Sequence, residues 1–330
     1  MLLVSGDIAR RTGGNLYDRR MERACRRAGV ALRIVSVAST AQARTVLARA
    51  NPSVVVIDSI AIPIAAPLVP WIREELHARL VALMHMPSRA RGARVVLRAA
   101  DRVVAVSPAL ARAFARAGLR RSRLAVIPPG SDGIPHLASQ QGRTRALGRL
   151  RVLAVANWSS SKGITTLVSA AARVPDLHLD LVGDPGTGAY RDRVRALIKS
   201  HGLETRVVIH GSLGERALAR RYADDDVFAL PTEREGYGIV FAEALLFGLP
   251  IIAADIASVR AIVGDAGVFV PPRRVRPLAA ALRLMTDPWL RRRLAKAARA
   301  RARALPRWSV SQGTFVALVR SEIDVAVARS

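Results

Sequence analysis

A single cysteine in 330 residues, Cys25, leaves no disulfide framework and no cysteine-built zinc site open, and it fits a reducing compartment. The six histidines, at 77, 85, 136, 178, 201 and 210, show no metal-ligand spacing, so no metal is expected. Aromatic residues make up 4% of the chain, too few for a surface that binds single-stranded nucleic acid by stacking. Long hydrophobic runs are missing as well. The most apolar window, 54–71, carries Asp58 and prolines at 63, 67 and 70, which breaks it as a membrane-spanning helix of about 20 residues. Residues 1–6 hold four apolar positions before turn chemistry and no basic leader, so they read as a first strand of a cytoplasmic protein rather than a signal peptide. Lysine is scarce too: Lys162, Lys199 and Lys296 stand against arginine everywhere else.

What the chain does have is apolar substance. With 51% hydrophobic and 23% charged residues it can bury substantial cores, which excludes disorder and coiled coil as global readings, and its length fits about two domains. The formal charge of +27 would ordinarily point to nucleic acid or an anionic membrane, but arginine-dominated usage is also what a GC-rich genome produces. Placement says more than the sum. Arg19, Arg23, Arg26 and Arg27 fall at helical spacing on a segment that also holds Met21, Ala24 and Cys25, so an early helix carries a basic stripe.

Short apolar runs alternate with helical patterns throughout, the mark of repeated β-α units and parallel sheets. In the first half strands are expected at 2–5, 31–37, 54–58, 80–84, 102–106 and 124–127; in the second at 151–156, 178–182, 206–210, 227–230, 250–253 and 268–270. Between them Pro128-Pro129-Gly130-Ser131-Asp132-Gly133-Ile134-Pro135 and the polar stretch after it are linker chemistry. The expected organisation is α/β, with two Rossmann-like, doubly wound parallel-sheet domains at 1–135 and 151–305, a linker at 136–150, and a C-terminal helix at 306–330 that packs back toward the first domain. Two such domains facing each other would leave a ligand cleft at the carboxyl ends of both sheets.

The most informative segment runs from Leu230 to Gly248, from strand through a glycine-rich loop into a helix. Gly236 and Gly238 let backbone approach a ligand, and the amides of Ile239 and Val240 at the helix start suit a phosphate. Glu243 is the only charged residue between Ile239 and Phe247, so it enters an apolar helix and needs a partner there; ribose hydroxyls would serve. The plainer alternative is that Glu235 complements the helix start and Glu243 pairs with an arginine. Lys162 follows the first strand of the second domain beside serines and Gly163, where a compact flexible cation is phosphate-binding chemistry.

Glu235 and Glu243 form an E-x7-E spacing in the context Glu-Gly-Tyr-Gly, Glu-Ala and Gly-Leu-Pro. This resembles glycosyltransferase family 4, retaining nucleotide-sugar enzymes with the GT-B fold. The similarity extends over nearly the whole chain through Thr12-Gly13-Gly14, Val106-Ser107-Pro108, Val126 to Asp132, Lys162-Gly163, Val182-Gly183-Asp184 and Gly211. It implies transfer of a sugar from a nucleoside diphosphate, most readily UDP- or GDP-linked, with retained anomeric configuration and no cofactor. In that reading Glu243 binds the ribose, and Glu235 lies by the donor sugar. Lys162, with the amides near Gly238, Ile239 and Val240, neutralises the leaving diphosphate, and Gly13 and Gly14 approach the same phosphates. His85, just past a predicted strand, matches the histidine that the family places near the reacting sugar, where it would bond to sugar or acceptor; packing in the core is the plain alternative. Leu213 is a weaker candidate for the nucleobase.

Two departures from the pattern stand out. Asn157 occupies the position where many members carry an arginine for the diphosphate, and Ser258-Val259-Arg260 replaces a common Pro-Glu. Arg91, Arg94 and Arg98, the early stripe and the apolar stretch 60–71 suggest attachment to the inner face of an anionic membrane and an envelope-glycan or lipid-linked acceptor; solvated helix faces are the alternative. Asp224-Asp225-Asp226 formally fits a metal-binding Asp-x-Asp, but it precedes a strand and is expected to be a solvated strand entrance, so no metal is assigned. A GT-B protein with epimerase-like or no chemistry remains an alternative function, as does nucleic-acid binding; no nucleic-acid motif supports the latter, and a dehydrogenase lacks its G-x-G-x-x-G turn.

Overall fold

A computed structural model describes residues 1–88, 90–135 and 149–328. The linker expected at 136–150 therefore lies outside the described residues except for Arg149 and Leu150, and Leu150 already belongs to a strand. The chain divides into two compact units, one formed by Met1–Gly130 with Arg307–Ser330 and the other by Ser131–Pro306.

The first unit runs β1 (Leu2–Val4), α1 (Gly13–Arg27), β2 (Ile34–Ser36), α2 (Thr40–Ala50), β3 (Val54–Asp58), α3 (Ile62–Ala65), α4 (Val69–Glu74), β4 (Arg79–Met84), α5 (Ala93–Ala99), β5 (Arg102–Ala105), α6 (Pro108–Arg116) and β6 (Leu124–Val126). Its six strands are all parallel in the order β2-β1-β3-β4-β5-β6. The second unit runs β7 (Leu150–Val155), α7 (Ile164–Ala171), β8 (Leu177–Val182), α8 (Ala189–Ser200), β9 (Val207–Gly211), α9 (Glu215–Asp224), β10 (Val227–Leu230), α10 (Ile239–Leu246), β11 (Ile251–Ala254), α11 (Ala257–Val263), β12 (Gly267–Val270), α12 (Val275–Leu284) and α13 (Pro288–Ala304). Its sheet is again wholly parallel, in the order β12-β11-β10-β7-β8-β9.

The strands form where they do because a parallel sheet covered on both faces needs unbroken apolar runs. Val54 to Asp58 is buried at every position, as are Val227 to Leu230 and Ile251 to Ala254. Polar caps start the helices: Thr12, Ser39, Ser107 and Asp287 each accept a backbone N–H of the first turn, and Pro108 and Pro288 follow two of them. In both sheets the strand order reverses direction once, beside β1 and β3 in the first unit and beside β7 and β10 in the second. Ligands of open α/β sheets bind at the carboxyl ends of the strands at such points.

The last helix, α14 (Trp308–Val327), belongs to the first unit and packs on α1, β3 and β4. Glu322, 1% exposed, anchors it: Arg79 and Arg102 reach its two oxygens at 2.6 and 2.9 Å. No described helix is long and apolar enough to cross a membrane. The stretch 60–71, read from sequence as a membrane-contacting surface, is corrected by the fold. Ala61, Ile62, Ala65, Ala66, Leu68 and Val69 are core residues, and Ile60 alone of the large apolar ones stands well exposed.

Candidate functional site

In the second unit the residues that follow β7 and β10 meet. After β7, a single turn at Ser160–Lys162 is bound to the loop after β10, because the Ser161 carbonyl accepts the Glu233 N–H at 2.7 Å and the Thr232 hydroxyl at 3.2 Å. Gly163 makes this approach possible. Its φ is +69°, and a Cβ there would lie 2.5 Å from the Pro231 carbonyl oxygen. Lys162 Nζ donates to Glu235 Oε2 at 2.7 Å, so two of the residues singled out from sequence form one half-buried ion pair.

Gly236 and Gly238 are buried in the same loop, and Gly238, at φ +99°, turns the chain into α10. The N–H groups of Ile239 and Val240 then open that helix with no carbonyl of their own helix to bond. One turn further, Glu243 is 4% exposed. Its partner is a residue that sequence reading missed: Tyr222, on α9, donates its hydroxyl to Glu243 Oε2 at 3.0 Å, with the Val240 carbonyl 3.3 Å away. Tyr222 is wholly buried and stacked on Phe247, and burial together with Glu243 pushes its pKa well above the usual range, so it stays a donor. The conflict of a carboxylate in an apolar helix is thus met in part from inside the protein.

Asn157 ties the exits of β7 and β8 together, its Oδ1 accepting the Asp184 N–H at 3.1 Å. A second cation reaches the loop after β10 from beyond β12: Arg273 lies 2.5 Å from Glu233 Oε2 and holds that carboxyl below its usual range. Leu213 is half-buried in the turn between β9 and α9. The aspartates before β10 are not the solvated entrance that the sequence suggested. Asp225 is 1% exposed with Arg151 Nε at 3.4 Å, and burial, then Asp180, push its pKa up to about 8. The error came from reading a local acidic run without the neighbouring strands, which supply Arg151 and Asp180.

In the first unit Gly13 and Gly14 open α1 behind the Thr12 cap, and His85 is the first residue past β4. His85 Nε2 lies 2.9 Å from Asp18 Oδ1 and 2.9 Å from Asp58 Oδ2. Among the described residues this is the one place where three donor atoms of His, Cys, Asp or Glu gather within 4.8 Å of one another. Asp18 and Asp58 were missed from sequence, although each left a signal. Asp58 closes a wholly apolar run, and Asp18 falls on the helix face of Met21 and Cys25.

The region 139–301 matches the family model described as Glycosyl transferases group 1, and residues 8–132 match Glycosyltransferase Family 4. The chain belongs to the group 1 glycosyltransferases of the family 4 type. It is 33% identical over 245 residues to a D-inositol 3-phosphate glycosyltransferase of Kineococcus radiotolerans, covering 66% of this chain and 56% of that one. It is 32% identical over 152 residues to the alpha-D-kanosaminyltransferase of Streptomyces kanamyceticus, covering 44% and 39%. The chain thus spans about half the length of these curated relatives. Among solved structures, sucrose-phosphate synthase from Thermosynechococcus elongatus superposes with a TM-score of 0.83 at 23% identity, over 98% of each chain. Anabaena HepE in complex with UDP-glucose does so with 0.79 at 20%, over 97% of this chain and 99% of that one. The fold is the α/β GT-B fold.

Proposed function

We propose that the chain is a retaining glycosyltransferase that takes a sugar from a nucleoside-diphosphate donor, with UDP first among the candidates and GDP second. The carrying observation is the Lys162–Glu235 pair beside the open start of α10, one helical turn from buried Glu243. An ammonium group and unbonded helix amides suit a diphosphate, and Glu243 suits ribose hydroxyls. Glu235, already in contact with Lys162, is placed to stabilise positive charge at the sugar, while Lys162 moves to the leaving phosphates. In the first unit, Gly13 and Gly14 are the proposed phosphate-approaching backbone, and His85 bonds to sugar or acceptor. Solved HepE structures carry UDP and UDP-glucose, which favours a uridine donor. No cofactor enters this reading, and donor cleavage needs no divalent metal; full loss of activity with a chelator would contradict that.

The acceptor is an envelope glycan or a lipid-linked sugar, and the protein works in the cytoplasm, peripherally on an anionic inner membrane. Exposed Arg23, Arg26, Arg27, Arg91, Arg94 and Arg98 support this by charge alone, since the apolar stretch proposed with them is core. Failure to cosediment with anionic vesicles at low salt would remove the membrane part. The donor reading is tested by a calorimetric screen of UDP, GDP, ADP and their sugar conjugates against wild type and Glu243→Ala. Selective binding that the substitution weakens names the base; no binding to any of them would overturn the reading.

A further inference from the structure

Asp18, Asp58 and His85 come from the middle of α1, the last residue of β3 and the first residue after β4, so three elements deliver them to one point at the carboxyl ends of neighbouring strands. The ring is fixed from several sides. The Tyr17 ring meets it edge-on, with centroids 5.2 Å apart and planes at 79°, and a Cβ on Gly14 would lie 3.3 Å from His85 Cδ2. Asp58 is itself aimed, because its Oδ1 accepts the Ile60 N–H at 2.5 Å. Both carboxylates are buried, and among the described residues neither pairs with a lysine or arginine; His85 is their only cation.

With both acids ionised, a nitrogen lone pair facing two carboxylate oxygens at 2.9 Å would be repelled by both, so in that state Nε2 carries its hydrogen. Two buried carboxylates without another counter-charge also favour a proton on the second ring nitrogen, since an uncompensated buried charge is costly. Burial alone would lower the imidazole pKa, yet Asp18 and Asp58 together raise it to about 10. Burial, with Asp58 beside it, holds the Asp18 carboxyl above its usual range although His85 pulls it the other way. The other groups facing the ring are Tyr17, whose hydroxyl donates to the Ile127 carbonyl at 2.9 Å and keeps its proton, and Ser59, whose Oγ takes the His85 backbone N–H at 3.4 Å.

We propose that Asp18 and Asp58 are positioning residues that hold His85 as an imidazolium, with Nε2 committed to them and Nδ1–H left as the one ring donor for a substrate oxygen. This rests on the reading of His85 as a residue that meets sugar or acceptor. A doubly protonated ring takes no proton from an acceptor hydroxyl. Its contribution is a charged hydrogen bond to an oxygen that bears or gains negative charge, a hydroxyl or phosphate oxygen of the sugar substrates.

The test is nitrogen-15 NMR of the histidine rings in the full chain at about pH 8, where an unperturbed imidazole is neutral. His85→Gln identifies the resonances. Wild type should show one ring protonated on both nitrogens, absent from His85→Gln. The same ring should become neutral in Asp18→Asn or Asp58→Asn, with thermal unfolding confirming that each variant is folded. A neutral His85 ring in wild type overturns the proposal without needing any variant. So does a ring unchanged by both asparagine variants, or one whose nitrogens shift on adding stoichiometric Zn²⁺ or Mn²⁺, which would make the cluster a metal site. UDP calorimetry on the same sample separates the two claims: absence of nucleotide binding defeats the proposed function and leaves the ring assignment to stand or fall on its spectrum.

Discussion

At the switch point of the first sheet, two buried carboxylates close on one imidazole; at that of the second, one lysine and one glutamate pair beside a helix start whose amides stay open. The strand order has the same logic in both units, so the topology does not set this difference. The side chains after each strand do. The second unit offers a flexible cation and backbone donors, which is anion-binding chemistry. The first uses its negative charge internally to fix one ring, and so offers a single oriented donor rather than a phosphate cradle. One scaffold thus carries two kinds of side-chain cluster, and each can be broken separately.

The largest expected effect falls on the second unit. Glu235→Gln should lower the rate of sugar transfer by about 10²–10³-fold, the usual cost of losing one group aimed at transition-state charge, with UDP affinity little changed. Equal losses in rate and in UDP affinity would mean that Glu235 serves only to hold Lys162. Next, Glu243→Ala should weaken UDP by about 10–100-fold, since hydrogen bonds to a charged group contribute roughly 1.5–3 kcal/mol. A smaller change, about 5–10-fold, is expected for Tyr222→Phe, which removes one neutral donor from the same carboxylate. That variant should also discriminate less between UDP and its 2′,3′-dideoxy analogue; undiminished discrimination would show that Tyr222 does not orient Glu243.

The smallest effect belongs to the first unit and concerns stability. His85 has a folded pKa of about 10, above its unfolded value near 6.5, so its contribution is fully present below the lower value and is lost as pH rises through the higher. Asp225, raised to about 8, works in the same direction at lower pH, because the folded state holds its proton longer than the unfolded chain does. Urea midpoints should therefore fall from about pH 6 to about pH 10. In His85→Gln the decline above about pH 8 should flatten, and an unflattened curve would place the titrating group elsewhere.

The contrast between the units also bears on what could be read from sequence. The twelve strands were legible because buried parallel strands leave continuous apolar runs, and Val54 to Asp58 or Ile251 to Ala254 need no tertiary knowledge to be seen. The residues proposed for the second unit could be singled out together because Glu235, Gly238 and Glu243 lie within one strand-loop-helix segment. Tyr222 was not, since it enters from the preceding helix and its hydroxyl is one among ordinary core aromatics. The first unit's cluster was legible by one member in three. Asp18 and His85 are 67 positions apart, and only the pairing of β3 with β4, with α1 laid across them, makes them neighbours. Asp225 failed for the same reason in reverse: a run of three aspartates looks solvated until the adjacent strand brings Arg151 against it.

The central claim is that the exits of β7 and β10 form a nucleoside-diphosphate site with Lys162 as its cation. Titration calorimetry of UDP into wild type and Lys162→Ala tests it most directly. The account predicts one equivalent bound by wild type and affinity about 10²-fold weaker in the variant, on the order of a lost charge-assisted phosphate contact. UDP binding that Lys162→Ala leaves unchanged, or no binding of UDP, GDP or ADP by wild type, would contradict it.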